Sequence, residues 1–148
     1  MEFVQSPLNY IDWESELVQA RESYEVIQNH GKLAVIMEPV KGGGLSMVPA
    51  SVEKRLKEMD ADASVASWAM RFTGSLDGVI CNLSGMSTPD QVKDNINTVK
   101  NLKPLTDKEK AHLDFFGELP QEKVILADGT DATEEVLKAE KWLIEHSF

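Results

Sequence analysis

The stretch "VICNLSGMSTPDQVKDNINTVK", residues 79–100, combines a strand signal, a short loop and a helix start in one run. Its first five residues are mostly apolar, as in a buried strand. Thr88 then stands as a helix cap, Pro89 occupies the first helical position, and Gln91 completes a capping box. A strand that passes through a short loop into a helix is the repeating unit of a parallel sheet. This stretch therefore predicts an α/β fold.

The rest of the chain shows the same alternation of strands and helices. The predicted strands are residues 2–5, 33–37, 79–83 and 124–127. Six helices are predicted. The first covers residues 15–30 and is ended by Gly31, the second is marked by Val52, Leu56 and Met59, and the third is marked by Trp68, Phe72 and Leu76, with Asp62 or Ser64 as its cap. The fourth begins at Thr88 with an apolar face of Val92, Ile96 and Val99, the fifth runs from the capping box at Thr106 and Glu109 towards Phe116, and the sixth covers residues 132–146. The run "LAVIM", residues 33–37, is apolar throughout, which is typical of a strand buried on both faces.

Length and composition describe one folded domain with a single unpaired cysteine. The chain has 148 residues, of which 42% are hydrophobic and 27% charged, so it can bury a core. The net charge of −10 argues against nucleic acid or an anionic membrane as the main partner. Cys81 falls in a strand pattern, and we expect it to be an inert core residue. Because no apolar run spans a bilayer and the start lacks a signal-peptide pattern, we expect a soluble, cytoplasmic protein without a membrane segment.

Two loops combine residues that suit an anionic ligand. "EPVKGGG", residues 38–44, offers one lysine and three glycines, and "SGMSTPDQ", residues 84–91, leads into a helix start whose N–H groups favour phosphate. Taken singly, each loop has a simpler explanation that accounts for it at least as well: a flexible connection for the first and, slightly better than a ligand site, ordinary helix capping for the second. In parallel sheets, however, both loops would leave the carboxyl ends of strands, where ligands bind, and one ligand could lie between them. No nucleophile or acid–base set accompanies them.

Five segments together resemble the aldo/keto reductase family, most closely its bacterial branch. They are "FVQ...LNYIDWE", "VIMEPVKGG", "ASWAMRF", "GVICNLSGMSTPDQVKDNI" and "KPLTDKE". The resemblance implies that residues 1–110 are the C-terminal half of a (β/α)8 barrel, with residues 111–148 as an unrecognised helical or βα extension. The implied fold is α/β, a partial (half) TIM-type barrel of three or four parallel strands with covering helices. The implied activity is reduction of carbonyl compounds with NADPH.

The resemblance also assigns a cofactor site and gives the glycines a reason, since the cofactor would lie against the backbone. The implied contacts are Gln5 and Met37 with the nicotinamide, Glu38, Val40, Lys41, Gly42 and Gly43 with the pyrophosphate, and Gly85, Met86, Ser87, Gln91 and Asn95 with the adenosine 2′-phosphate and adenine. Many relatives carry Lys at the position of Gly85 and Arg at the position of Gln91, so preference between NADPH and NADH stays open. The resemblance implies neither a metal nor an iron–sulfur cluster.

The family's catalytic Asp, Tyr, Lys and His come from the first four strands, and no residue here takes those roles. Tyr10 and Tyr24 lie in no matching motif. One hypothesis is an oxidoreductase portion that is inactive without a complementary N-terminal half. The alternative is a non-catalytic nucleotide-binding or assembly module, a homodimer of half-barrels, and a third is a remnant without ligand. The sequence leaves open whether the chain is an enzyme by itself.

Overall fold

The structure is a computed structural model that describes residues 2–117. The strands are β1 (Phe3–Pro7), β2 (Leu33–Met37) and β3 (Val79–Leu83). The helices are α1 (Ala20–Asn29), α2 (Ala50–Met59), α3 (Val65–Gly74), α4 (Pro89–Lys100) and α5 (Asp107–Gly117), and a 3-10 turn covers Lys41–Ser46. The strand predicted at residues 124–127 and the helix predicted at 132–146 lie outside the described residues. The domain boundary at residue 110 stays a prediction.

The three strands form one parallel sheet in the order β1-β2-β3, which confirms the α/β partial barrel. Phe3 lies opposite Leu33, and Met37 lies between Pro7 and Leu83, so the three strands end level with one another. The register shifts once, between Ala34 and Val35. Within residues 2–117, β1 and β3 are the edge strands. Proline cannot donate to a sheet ladder, and Pro7 accordingly ends an edge strand.

Only one face of β2 is fully buried in the described structure, so the prediction that this strand is buried on both faces is wrong. Ala34 and Ile36 are fully buried, whereas Leu33 is 44% exposed. Phe3 and Leu83 on the neighbouring strands are 48% and 44% exposed. The described helices cover the face of Ala34 and Ile36, and the opposite face corresponds to the interior of a closed barrel. The apolar run of β2 therefore forms a strand although one of its two faces is only partly buried.

Cys81 is exposed rather than buried in the core, which corrects its prediction as a core residue. It lies beside Val35, and so on the uncovered face of the sheet. Cys81 does lie in a strand, as its pattern predicts, but an apolar strand pattern does not indicate which face of the sheet the described helices cover.

Two helices differ from their sequence patterns. α1 begins at Ala20 rather than at residue 15, because Gln19 has a left-handed backbone (φ 51°) that separates it from the preceding turn. Leu17, predicted on the apolar face, is 60% exposed. In α4 the predicted apolar face is also wrong, since Ile96 and Val99 are 59% and 51% exposed while Asn95 is buried.

Grooves flank both open edges of the sheet. Beside β3, a cavity of about 490 Å³ is lined mainly by apolar side chains that include Met70, Ile96 and Val99. Beside β1, a cavity of about 560 Å³ lies against α1 and includes Val26 and Ile27. The exposed apolar face of α4 thus borders an open edge, where further strands of a barrel would pack.

Helix α3 fills the centre of the core. Ser64 caps it by accepting a hydrogen bond from the N–H of Ser67 at 3.0 Å, which confirms one of the two predicted caps. Trp68 is fully buried, and the guanidinium of Arg71 lies 4.7 Å from the centre of its ring. Arg71 also donates to the carbonyl oxygen of Lys103 at 2.9 Å. The arginine therefore joins α3 to the segment before α5.

Glu109 connects α5 to α3 through a network of charged hydrogen bonds. It accepts from the guanidinium of Arg71 at 2.8 Å, and from the N–H and hydroxyl of Thr106, each at 2.8 Å. Burial by itself raises the pKa of Glu109, but the hydrogen bonds from Thr106 and Arg71 outweigh it and hold the pKa below its usual value. The predicted capping box at Thr106 is thus confirmed.

Replacing Glu109 with glutamine is expected to lower the free energy of unfolding by about 1 kcal/mol near pH 7. Because the pKa is lower in the folded state, the carboxylate's contribution is present above its unfolded-state pKa, typically about 4.3 for Glu. That contribution is lost as the pH falls through the folded-state value. Urea unfolding at pH 7 and at pH 3 would measure the difference. A gap between wild type and Glu109→Gln that stays the same at both pH values would contradict the assignment.

Candidate functional site

The loops that follow the three strands meet at the carboxyl edge of the sheet. The loop after β1 begins with Leu8, whose N–H donates to the carbonyl oxygen of Met37 at 3.1 Å. The loop after β2 begins at Glu38 and the loop after β3 at Ser84. Because the strands are parallel and end level with one another, their following residues form one surface.

Asn9, which is fully buried, joins the loop after β1 to the loop after β2. Its side-chain oxygen accepts from the N–H groups of Ile11 and Asp12 at 3.1 and 3.0 Å. Its side-chain nitrogen donates to the carboxylate of Asp12 at 2.7 Å and to the carbonyl oxygen of Glu38 at 3.3 Å. Both the oxygen and the nitrogen of the side chain thus bond to residues of these two loops, so Asn9 fixes the position of one loop relative to the other.

Lys41 is held by an ion pair at the start of the glycine segment. Its ammonium group lies 2.5 Å from the carboxylate of Asp12, whose side chain is 11% exposed. The lysine itself is 44% exposed, so water screens the pair from one side. Asp12 thus receives hydrogen bonds from both Lys41 and Asn9. The cation that the sequence assigned to a phosphate already has a carboxylate partner in this structure.

The loop after β2 adopts a backbone that favours glycine. Lys41, Gly42 and Gly43 have φ values of 47°, 60° and 97°. A Cβ built on Gly42 or Gly43 would meet no atom within 4 Å, so the glycines border open space. Leu45, which is 6% exposed, anchors the far side of the loop in the core. The loop therefore exposes backbone atoms at Gly42 and Gly43 while Leu45 anchors it to the core.

The start of α4 forms the predicted capping box. The side-chain oxygen of Gln91 accepts from the N–H groups of Ser87 and Thr88 at 2.7 and 3.2 Å, and the N–H of Gln91 donates to the hydroxyl of Thr88 at 3.3 Å. One turn further on, Asn95 is 8% exposed and donates to the hydroxyl of Ser84 at 3.0 Å. Asn95 thereby positions the loop after β3 against the helix.

A cavity of about 270 Å³ lies between the glycine loop and the start of α4. Among the twelve residues that the sequence assigned to a cofactor, eight line it: Glu38, Val40, Gly42, Gly43, Gly85, Met86, Gln91 and Asn95. Two separate stretches of sequence are thus brought together at one opening. We call this opening the inter-loop cavity.

Four assigned residues do not line the inter-loop cavity. Gln5 is exposed on β1 and borders the groove beside that strand, and Met37 is half-buried at the end of β2. Lys41 turns to Asp12, and the N–H of Ser87 is engaged by the capping box. The assignments of all twelve residues to a cofactor stay predictions.

The cavity also has lining residues that sequence reasoning missed: Pro39, Ser46, Leu83, Ser84 and Asp94. Asp94 was within reach of the sequence, because it follows Gln91 by three positions and so shares its helix face. Its carboxylate accepts a hydrogen bond from the hydroxyl of Ser64 at 2.6 Å. The others depend on how the loops fold over the strand ends.

Neither tyrosine of the described chain lies in this cavity. Tyr10 is 3% exposed, and burial raises its pKa to about 12. The pKa of Tyr24 is raised by burial and by the charge of Asp77, and its hydroxyl donates to the carbonyl oxygen of Asp77 at 2.9 Å, ahead of β3 and so at the opposite end of the sheet. Neither hydroxyl is placed to donate a proton at the cavity.

Residues 2–117 contain no group of His, Cys, Asp and Glu arranged to hold a metal ion. In the same range, no helix combines the length and the apolar character that a membrane crossing needs.

No protein-family model and no curated protein matches the chain. Its structure is similar to an aldo-keto reductase from Bacillus halodurans in holo and apo forms, each with a TM-score of 0.60 and 24% identity. The match covers 82% of this chain and 45% or 46% of that protein. A thermostable aldo-keto reductase in complex with the inhibitor epalrestat gives a TM-score of 0.56 and 16% identity, over 75% of this chain and 38% of that one. The chain thus spans less than half the length of these proteins and shares their fold.

Proposed function

We propose that this chain is the C-terminal half of a bacterial aldo-keto reductase and supplies its binding loops for a nicotinamide dinucleotide. The observation that carries the proposal is the inter-loop cavity, which collects eight of the twelve residues assigned from sequence. The structural similarity to aldo-keto reductases supports it independently of those residues. The resemblance of the sequence to this family implies NADPH as the cofactor.

The residues of the cavity fit part of such a cofactor. Gly42 and Gly43 leave space where side chains would otherwise stand, so a pyrophosphate could lie on their backbone. The cavity of about 270 Å³ is slightly smaller than the 300 Å³ or so that begins the usual range for ligand pockets. It would therefore hold one portion of a dinucleotide, with the remainder extending towards Met37 and the uncovered sheet face.

The chain's own contribution would be to bind and orient the cofactor. When bound, a nicotinamide supplies the hydride for carbonyl reduction. Asn9 and Asp12 hold the loop that carries Lys41, and α4 holds the loop at Gly85. The proton donor and its partners would come from polypeptide outside this chain, and the chain would be inactive alone.

Replacing Gly43 with alanine is expected to weaken dinucleotide binding about tenfold. Its φ of 97° disfavours any L-residue, typically by about 1 kcal/mol or more, and the new methyl group would enter the cavity. Titration of the full chain with NADPH and NADH, followed by cofactor fluorescence, would measure the dissociation constants.

The matched control is Gly44→Ala, one position further along the same loop. Gly44 has no positive φ and does not line the cavity, so its substitution should leave binding nearly unchanged. Far-UV circular dichroism would check that both variants fold. If wild type binds neither dinucleotide up to millimolar concentration, the proposed function is wrong.

The alternative function, a homodimer of half-barrels, is favoured by the uncovered sheet face. Phe3, Leu33 and Leu83 are each more than 40% exposed on that face, and grooves flank both edges. The similar structures are more than twice as long as the part this chain matches, which leaves room for a second half-barrel on this face. In the alternative function that second half is another copy of this chain, whereas in the first proposal it is a complementary N-terminal half. Light scattering of the purified chain would give its oligomeric state, and the fluorescence titration its dinucleotide binding. A stable dimer that binds dinucleotide without turnover would support the alternative, and a monomer would contradict it.

A further inference from the structure

We propose that the adenosine end of the inter-loop cavity accepts a ribose 2′-hydroxyl rather than a 2′-phosphate, so that the chain binds NADH in preference to NADPH. This inference rests on the proposed function and specifies its ligand. Two independent observations carry it: the hydrogen bonds at the start of α4, and the charges that line the cavity.

Three of the backbone donors around the start of α4 are already used. A phosphate at a helix start binds to free N–H groups there. In this chain the N–H groups of Ser87, Thr88 and Gln91 donate to the side chains of the capping box, at 2.7, 3.2 and 3.3 Å. Pro89 has no N–H to offer. A phosphate that bound to the N–H groups of Ser87 and Thr88 would have to displace the side chain of Gln91 and open the box.

The charged side chains that line the inter-loop cavity are both carboxylates, Glu38 and Asp94. The nearest lysines along the chain do not line the cavity: Lys41 pairs with Asp12, and Lys93 lies on the exposed surface, 3.2 Å from Asp90. A 2′-phosphate adds a charge of about −1.5 to −2 at neutral pH. Like charges a few ångströms apart repel, and more strongly in a partly enclosed site than in water.

Asp94 is suited to a hydroxyl instead. Ser64 donates to its carboxylate at 2.6 Å and so fixes its orientation, and a carboxylate accepts several hydrogen bonds. It lies one turn after Gln91 and beside Asn95, both of which line the same cavity. An acidic side chain that accepts from a ribose 2′-hydroxyl is a known way to select NADH in other dinucleotide folds. Asp94 would therefore determine cofactor specificity here.

The test compares dissociation constants of NADH and NADPH for the full chain, by cofactor fluorescence at low salt. We expect NADH to bind about tenfold more tightly, and the gap to narrow in about 0.5 M salt, because salt screens the repulsion. Competition of bound NADH with ADP and with 2′,5′-ADP tests the adenosine end alone. We expect ADP to compete more strongly than 2′,5′-ADP. Tighter binding of NADPH would overturn the inference and leave the proposed function standing, whereas binding of neither would overturn both.

The variant Asp94→Asn removes the charge but keeps an oxygen that can accept from Ser64. We expect it to bring the NADH and NADPH constants to within about threefold of each other. Asp107→Asn, which removes the same charge from an exposed position on α5, should leave the wild-type ratio unchanged. Because the NADH and NADPH constants are measured on the same variant, their ratio does not depend on how much of that variant is folded. If Asp94→Asn keeps the wild-type ratio, Asp94 does not determine specificity.

A second variant tests the capping box separately. Gln91→Ala releases the N–H groups of Ser87 and Thr88, so we expect binding of 2′,5′-ADP to improve relative to ADP. An unchanged ratio would contradict the role assigned to those donors.

Discussion

Replacing Asn9 with leucine is expected to lower the free energy of unfolding by about 2–4 kcal/mol. Leucine has a similar size, but it makes none of the four hydrogen bonds that the fully buried Asn9 makes. The N–H groups of Ile11 and Asp12 would lose their acceptor, and the largely buried carboxylate of Asp12 would lose a donor. Urea unfolding followed by far-UV circular dichroism would measure the loss.

The same substitution should also weaken dinucleotide binding, because Asn9 connects the loop after β1 to Glu38. We expect dissociation constants for both NADH and NADPH to rise together, since the change lies away from the adenosine end. Asn29→Leu, at an exposed position at the end of α1, is the matched control and should alter stability by less than about 0.5 kcal/mol. Full stability in Asn9→Leu would show that the loops hold together without this residue.

Replacing Trp68 with alanine is expected to lower the free energy of unfolding by about 3–5 kcal/mol. Trp68 is fully buried in the centre of α3, and its removal leaves a cavity that the surrounding side chains cannot fill. Arg71 would also lose the ring on which its guanidinium rests, 4.7 Å from the ring centre. Since ordinary domains are stable by about 5–15 kcal/mol, a loss of this size approaches complete unfolding.

Urea unfolding with far-UV circular dichroism suits this variant, because the change removes a fluorophore. Leu17→Ala provides the comparison, since Leu17 is 60% exposed and its truncation should have little effect. A cost below about 1 kcal/mol for Trp68→Ala would mean that α3 is not the centre of the core.

Local signals in the sequence predicted the elements well where the chemistry is itself local. The capping boxes at Thr88 and Thr106 form as predicted, and Ser64 is the cap out of the two candidates, Asp62 and Ser64, because each motif needs residues only three positions apart. The strands at residues 33–37 and 79–83 coincide with β2 and β3 for a similar reason, since turn residues bound them on both sides. The start of α1 was wrong because Gln19 is left-handed, a conformation that its residue type does not signal.

Burial could not be predicted in the same way, because it depends on what packs across from each face. Ile96 and Val99 have the spacing of a core face and are nonetheless exposed, and Cys81 lies on the uncovered face of the sheet. The candidate site was predicted from a resemblance to a family, and eight of the residues assigned in that way line one cavity. The assignment did not include Asp94, although Asp94 shares the helix face of Gln91. That Asp94 and Glu38 line the same cavity depends on how the loops meet this helix.

The sequence by itself determined the strand–helix order, the helix caps and the two glycine-containing loops, since these follow from residue type and spacing over a few positions. Only the tertiary structure decided that Lys41 pairs with Asp12, that Asn9 joins two loops 29 positions apart, and that Glu38 and Asp94 line one cavity. Contacts of this kind depend on parallel strands that bring distant loops to one edge of the sheet. No local pattern encodes the distances between those loops.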